Sequence, residues 1–242
     1  MSHPIPDPTI VFVHGAWHGP WAWDQLRRYL PAFDTIAVDL PGSGSDPDRL
    51  GGLQDDADLL RDTVRGIDGP VVVVAHSYGG AVATEALTDC PNVQQVIYLT
   101  AFAPDAGESV HQLVGGQLPN WVTITDDNAS EVRHPIRVFY GDCSPRLARW
   151  AARQLTKQSL SSIQGQVTDP AWRYLPATYI ICTRDRAIHP AAQAVFSARC
   201  DEVHRLRADH SPMLSQPDAL ADLLRTVIAC DAPGPYRPAH RG

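Results

Sequence analysis

At 242 residues, 44% of them hydrophobic and 19% charged, the chain can bury a sizeable core and suits one globular α/β domain, with a second full domain excluded. A net charge of −7, with Lys157 the only lysine, argues against a nucleic-acid or anionic-membrane partner, because such surfaces attract clustered cations. The five cysteines (Cys90, Cys143, Cys182, Cys200 and Cys230) are odd in number and lack CxxC spacing, which speaks against a disulfide framework and against a zinc site, so no metal is expected.

In chain order, short β-rich apolar runs alternate with helical patterns, the order of βαβ units around a parallel sheet. Strands are expected at Thr9 to Gly15, Phe33 to Gly44, Pro70 to Ser77, Val93 to Ala101, Thr178 to Thr183 and Glu202 to Arg207. Helical spacing is found at Trp21 to Leu30, Leu53 to Gly66, Tyr78 to Cys90, Pro190 to Ala198 and Pro217 to Ala229, several of them opened by proline. Residues 9–103 and 173–229 thus form the core of one doubly wound domain, with a mostly parallel six-stranded sheet flanked by helices. Residues 104–172 break the alternation, since roughly 70 residues are too many for a simple connection. They are read as a helical cap over the carboxyl edge of the sheet, where open α/β sheets bind ligands. Within the cap, Pro145 to Gln158 reads as an amphipathic helix with Leu147, Trp150, Ala151 and Leu155 on one face. The Pro- and Gly-rich residues 231–242 are expected to be disordered. No basic, apolar leader precedes the first strand, and no apolar run approaches the roughly 18 residues of a membrane span, so a cytoplasmic protein without a membrane partner is expected. The arginine-dominated, Ala- and Pro-rich composition suggests a bacterial source.

The stretch "VVVVAHSYGGAVA" joins a buried strand to a helix through Ser77. Strand, serine, helix is the context of a nucleophile elbow, in which a sharp turn presents the hydroxyl at a helix N-terminus. The turn needs small residues two positions either side, here Ala75 and Gly79, so the pattern is A-x-S-x-G. The plainer alternative is a serine that only caps the helix. A serine nucleophile needs a base, and the base needs a carboxylate to fix its tautomer. In this architecture they follow in the order acid, then histidine, each after a strand. Asp185 in "TYIICTRDRAIHP" and His210 in "VHRLRADHSPML" satisfy that order. Asp105, after the Val93 strand, is the competing acid; Asp209 adjoins His210 too closely, and Asp39 suits a loop cap. His76, His189 and His204 compete as bases but read as core or surface histidines. Oxyanion donors are expected at the elbow and on the first βα loop, "FVHGAWHGPWAWD", giving the Tyr78 and Ala16 amides. Trp17 suits a pocket wall, and Gly15, His76 and Ser211 adjoin the same site.

Together "HGAWHGPWAWD", "VVAHSYGGAVA", "YGDCSPRLARWAARQLTKQS", "YIICTRDRAIHPAAQ" and "ADHSPMLSQPDALADLL" resemble the α/β-hydrolase superfamily. The resemblance is to the branch holding EstC-like carboxylesterases, methyl-salicylate esterases and hydroxynitrile lyases, and it covers residues 9–229. It implies the α/β-hydrolase fold, Ser77 as nucleophile, His210 as base, Asp185 as orienting acid, Ala16 and Tyr78 as oxyanion donors, and no cofactor. The lyases carry threonine directly after the first-loop histidine and lysine directly after the catalytic histidine; here those positions are Gly15 and Ser211, which argues for ester chemistry. The expected activity is a carboxylesterase-type serine hydrolysis of a small to mid-sized apolar ester, by a monomer or homodimer. The alternatives are a natural-product tailoring enzyme (a cyclase, thioesterase or lactone-forming enzyme) using the same acyl-serine and, less favoured, a hydroxynitrile lyase or a ligand-binding receptor on this fold.

Overall fold

The computed structural model describes residues 7–230; the tail expected to be disordered, residues 231–242, lies outside them. The chain begins with β1 (Thr9–Val13), α1 (Asp24–Arg27), β2 (Thr35–Ala37), β3 (Ser43–Gly44), α2 (Leu53–Arg65), β4 (Val71–His76), α3 (Gly79–Ala86) and β5 (Val93–Leu99). The insertion follows, with α4 (Val110–Leu113), β6 (Val122–Ile124), β7 (Ala129–Val132), α5 (Pro135–Phe139), α6 (Pro145–Gln154), β8 (Lys157–Ser159) and α7 (Leu160–Gln164). The chain then returns to β9 (Ala177–Cys182), α8 (Pro190–Ser197), β10 (Glu202–Leu206), α9 (Pro212–Ser215) and α10 (Pro217–Cys230).

Six strands form one sheet in the order β10-β9-β5-β4-β1-β2, and every pairing in it is parallel. Parallel strands are covered by helices on both faces, which explains why β4 opens with an unbroken run of Val and Ala before His76 and has all six residues buried. Its neighbours β1 and β5 are almost as apolar, and α2 lays Leu53, Ala57, Leu60 and Val64 inward beside α3. This central strand carries Ser77 at its carboxyl end.

Several elements differ from their sequence expectation. The expected strand Phe33 to Gly44 is only Thr35–Ala37; Ser43 and Gly44 leave the main sheet and pair antiparallel with β8. The helix expected at Trp21 to Leu30 is a 3₁₀ turn at Pro20–Trp23 followed by the single turn α1. The helix expected at Tyr78 to Cys90 is shorter, with Tyr78 and Leu87 as its caps. The cap helix ends at Gln154 because Leu155 turns extended, and Lys157–Ser159 is a strand. That helix buries Ala148 and Ala151, while Trp150 is 42% exposed and packs edge-on to Trp21, with ring centroids 5.4 Å apart. Three strands of the insertion therefore join β3 in an antiparallel sheet, β3-β8-β7-β6, beside the insertion's short helices.

Close approach decides the residues at the start of α3. An ideal Cβ at Gly80 would lie 2.2 Å from the Phe102 carbonyl oxygen and 2.8 Å from the Ala101 Cβ, and one at Gly79 only 2.6 Å from the His14 carbonyl oxygen. Backbone atoms cannot yield as a flexible side chain does. Gly80→Ala is expected to destabilise the protein by about 3 kcal/mol, the upper part of the overpacking range. In a chain of this size that corresponds to a Tm lower by roughly 6–12 °C. A thermal melt reads this directly, and a Tm within about 2 °C of wild type would contradict it.

Candidate functional site

Ser77 has φ +53, the left-handed region that a side chain rarely adopts, and it sits between β4 and α3. Such strain persists only where the surroundings over-determine it. Here the Ser77 amide donates to the Leu99 carbonyl, and the Ser77 carbonyl accepts from the Gly80 and Phe102 amides at 3.1 and 3.0 Å. The side chain is 8% exposed.

His210 follows β10 and Asp185 follows β9, and the two side chains meet with His210 Nδ1 at 2.7 Å from Asp185 Oδ2. The Asp185 carboxylate is surrounded by donors: the Ala187 and Ile188 amides reach Oδ1 at 2.7 and 3.0 Å, and Gln193 Nε2 reaches Oδ2 at 3.4 Å. Thr100 Oγ1 also donates to Oδ2. An Nδ1–H given to this carboxylate leaves the Nε2 lone pair of His210 able to take a proton. The competing acid, Asp105, instead pairs with Arg173 in a part-exposed ion pair. Asp209 accepts the His210 amide at 2.9 Å on one oxygen and the Gly141 amide at 3.0 Å on the other, so it fixes backbone and not the ring. His189 caps α8 by accepting the Ala191 amide, and His204 lies in the edge strand beside Glu202.

The first βα loop carries Ala16 and Trp17. Among the described residues, the Ala16 and Tyr78 amides donate to no protein group. Trp17 stands at φ +64, with its indole against Trp121 and Phe139 at centroid distances of 5.8 and 6.0 Å. Phe139 in turn lies 5.2 Å from the His210 ring. Phe139, from the insertion, thus stands against His210, with Trp17 and Trp121 packed on Phe139. A separate cavity of about 530 Å³ opens in the insertion between Leu118, Val122, Leu160 and Ile163, and neither Ser77 nor His210 is in its wall.

His76 and Ser211 both lie against His210 as buried residues. His76 is buried with its ring 4.6 Å from that of His210 and its Nε2–H donating to the His210 carbonyl at 2.8 Å, because alternation along β4 turns it away from the Ser77 side. Ser211 is fully buried at the start of α9, and its Oγ has no partner among the described residues. Gly15 does adjoin the serine: a Cβ there would lie 2.8 Å from the Ser77 Cβ and 3.0 Å from His76 Nδ1, so the threonine of the lyases has no room at this position.

Burial sets the charge state of the remaining histidines. Desolvation lowers His14 and His76, and holds His18 down at about 3, so all three are neutral near pH 7. The roles follow from their bonds: His14 Nδ1 faces the Gly15 carbonyl while its Nε2 accepts the Leu40 amide, and His18 Nδ1 faces the Ala16 carbonyl while its Nε2 accepts the Tyr140 hydroxyl. Asp56, buried under Tyr78, is pushed the other way, to about 6, by the same desolvation. It accepts the Tyr78 hydroxyl at 2.6 Å and the Gly42 amide at 2.5 Å. Thr100, Asp56, Trp121 and Phe139 also belong to this neighbourhood and stand in no motif that would mark them, and Gln158, though inside the stretch Tyr140 to Ser159, has nothing beside it in sequence that points to the site.

Comparison with known proteins agrees with this fold. Norfluorocurarine synthase 2 of Strychnos nux-vomica is 29% identical over 89% of this chain and 93% of its own. Methylesterase 9 of Arabidopsis thaliana is 27% identical over 90% of this chain and 96% of its own. The crystal structure of a pyrethroid hydrolase from Sphingobium faniae superposes with a TM-score of 0.79 at 21% identity, covering 93% of this chain and 98% of that one. Residues 10–223 match the alpha/beta hydrolase family as a whole, and with the parallel sheet and the Ser77 turn already described, the chain belongs to that family.

Proposed function

We propose that the protein is a cofactor-independent serine esterase that cleaves a small to mid-sized, largely apolar ester. The observation that carries this reading is the left-handed Ser77 at a strand-to-helix joint, in a chain whose buried His210 Nδ1 lies 2.7 Å from Asp185 Oδ2. In this reading His210 Nε2 takes the Ser77 proton as Oγ attacks the ester carbonyl. The developing oxyanion is received by the Ala16 and Tyr78 amides, whose donors are otherwise unused among the described residues. Collapse of the tetrahedral species passes the proton from His210 to the departing alkoxide and leaves an acyl-serine. A water deprotonated by His210 then adds to that acyl group, and collapse of the second tetrahedral species releases the acid as His210 returns the proton to the departing Ser77 Oγ. A positioned base contributes about 10²–10⁴ to such a rate, and each oxyanion donor about 10²–10³. The aromatic surroundings, Trp17, Trp121 and Phe139, suit an apolar acyl or alcohol group, and the name of the Arabidopsis relative makes a methyl ester the first candidate. The Strychnos relative is named a synthase, which favours as second reading a natural-product tailoring step on the same acyl-serine.

The test exposes purified protein to a fluorophosphonate probe and to p-nitrophenyl acetate and butyrate. Labelling confined to Ser77, lost together with turnover in Ser77→Ala, is the expected result. A well-folded wild type that neither labels nor turns over would sink the esterase reading.

A further inference from the structure

We propose that Gln158, supplied by the insertion, is a positioning residue for the oxyanion site: its carboxamide holds the Trp17 amide and thereby the left-handed turn that fixes the neighbouring Ala16 amide. The proposal rests on the esterase reading above. Trp17 is a bulky residue at φ +64, a conformation that needs support from outside its own loop. All of that support comes from the insertion. Gln158 Oε1 accepts the Trp17 amide at 3.0 Å, the Thr156 amide donates to the Trp17 carbonyl at 2.9 Å, and the Trp17 indole Nε1–H faces the carbonyl and hydroxyl oxygens of Ser130 at 3.1 and 3.2 Å. His18 Nδ1 holds the Ala16 carbonyl from within the loop at 2.8 Å. The Ala16 and Trp17 peptides are therefore gripped from opposite ends.

Gln158 is fully buried, and its orientation is set by the bond from its Nε2, with its Oε1 shared by a second donor. Ser43 Oγ donates to the same Oε1 at 2.5 Å, and Nε2 donates to Ser162 Oγ at 2.5 Å. A buried neutral amide serves here where a carboxylate would not, because an acceptor is needed for the Trp17 N–H without a negative charge beside a site that must receive an oxyanion. An apolar side chain of the same shape leaves the buried Trp17 N–H without an acceptor, and the left-handed turn loses a restraint. Gln158 touches no substrate in this account; it acts through Trp17.

The test compares wild type, Gln158→Met and Ser43→Ala, the last removing a neighbouring bond to the same oxygen while leaving the Trp17 contact. For p-nitrophenyl butyrate, Gln158→Met is expected to lower kcat by about 10- to 100-fold with KM within about twofold, the pattern of an interaction realised in the transition state. A trifluoromethyl ketone, whose serine adduct carries an oxyanion, should bind this variant more weakly by about the same factor. Ser43→Ala should keep kcat within about twofold. Should Gln158→Met fail to fold, amide hydrogen exchange on the wild type still decides. The Trp17 amide should be protected in the free protein, whereas the Ala16 amide should gain protection only when the ketone is bound. Unchanged kcat in Gln158→Met, an equal loss in Ser43→Ala, or a Trp17 amide that exchanges as fast as that of Ala16 would each overturn the proposal. A wild type inert to fluorophosphonate and esters would overturn the esterase reading itself, and this assignment with it, an outcome visible before any variant is made.

Discussion

Asp185→Asn is expected to lower kcat for p-nitrophenyl butyrate by about 10⁴-fold, and Ser77→Ala or His210→Ala by at least as much, while Asp105→Asn stays within about twofold. The asparagine effect follows from the donors around the carboxylate. Oδ1 of Asp185 accepts the Ala187 and Ile188 amides at 2.7 and 3.0 Å, so an asparagine must keep its carbonyl oxygen there and turn its NH₂ toward His210 Nδ1. A donor then faces a donor unless the imidazole shifts its proton to Nε2, which removes the lone pair that would act on Ser77. Thr100 Oγ1, which now donates to Oδ2, would have to accept instead. Steady-state kinetics on the four variants checks this, with retention of the wild-type melting temperature excluding misfolding. Activity of Asp185→Asn within tenfold of wild type would remove Asp185 from the role of orienting acid.

Acid is expected to unfold the protein in two stages, gently between pH 6 and 4 and steeply below. His14, His18 and His76 are neutral in the folded state because burial lowers them, to about 3 for His18, whereas in the unfolded chain they protonate as pH falls through 6.5. Below 6.5 the unfolded chain therefore takes up protons on these histidines that the native state does not, and this contribution to stability falls as pH falls. Asp56, raised to about 6 from 3.8, and Asp209, raised in the same direction, work the other way by keeping protons in the native state that the unfolded chain has released. Proton uptake by the unfolded histidines outweighs the offset from the two carboxylates, so stability declines gently toward pH 4. Beneath that the unfolded carboxylates are protonated as well, the offset vanishes, and the decline steepens until the native histidines titrate. Urea unfolding at a series of pH values measures both slopes. Asp56→Asn should steepen the upper limb by roughly 1.4 kcal/mol per unit, and a flat profile from pH 7 to 4 would contradict the assignment of three buried neutral histidines.

The parts of the molecule that were legible in the sequence are those whose signal is local. An all-apolar Val71 to Ala75 can only be a strand covered on both faces, and the small residues after Ser77 mark a backbone approach that the contacts of Gly79 and Gly80 explain. Asp185 and His210 could be found by chain order because each follows a strand of that same sheet. The misreadings arise where the deciding partner is distant. Ser43 and Gly44 looked like the end of a strand in the main sheet, yet they pair with residues 157 and 158, and nothing around either segment announces the other. Gln158 looked like the last residue of an amphipathic helix for the same reason. Trp17 carries no glycine to signal a left-handed turn, and the turn exists only because the insertion imposes it. Nearness in sequence does bring His76 beside His210, but which way its ring and the Ser211 hydroxyl face is set by strand and helix-start geometry.

The pairing of β3 with β8 has a practical corollary for building chimaeras. One strand of the small sheet is lent by residues 43 and 44, far upstream of the insertion whose strands complete it, so the unit that shapes the aromatic cover is discontinuous. Grafting residues 104–172 onto a relative's scaffold would carry Gln158 and Ser130 but leave behind Ser43, as well as Gly42 and the Asp56 that links it to Tyr78. A transplant meant to change ester preference would have to move the segment from Pro41 to Gly44 along with the insertion, as a two-piece cassette.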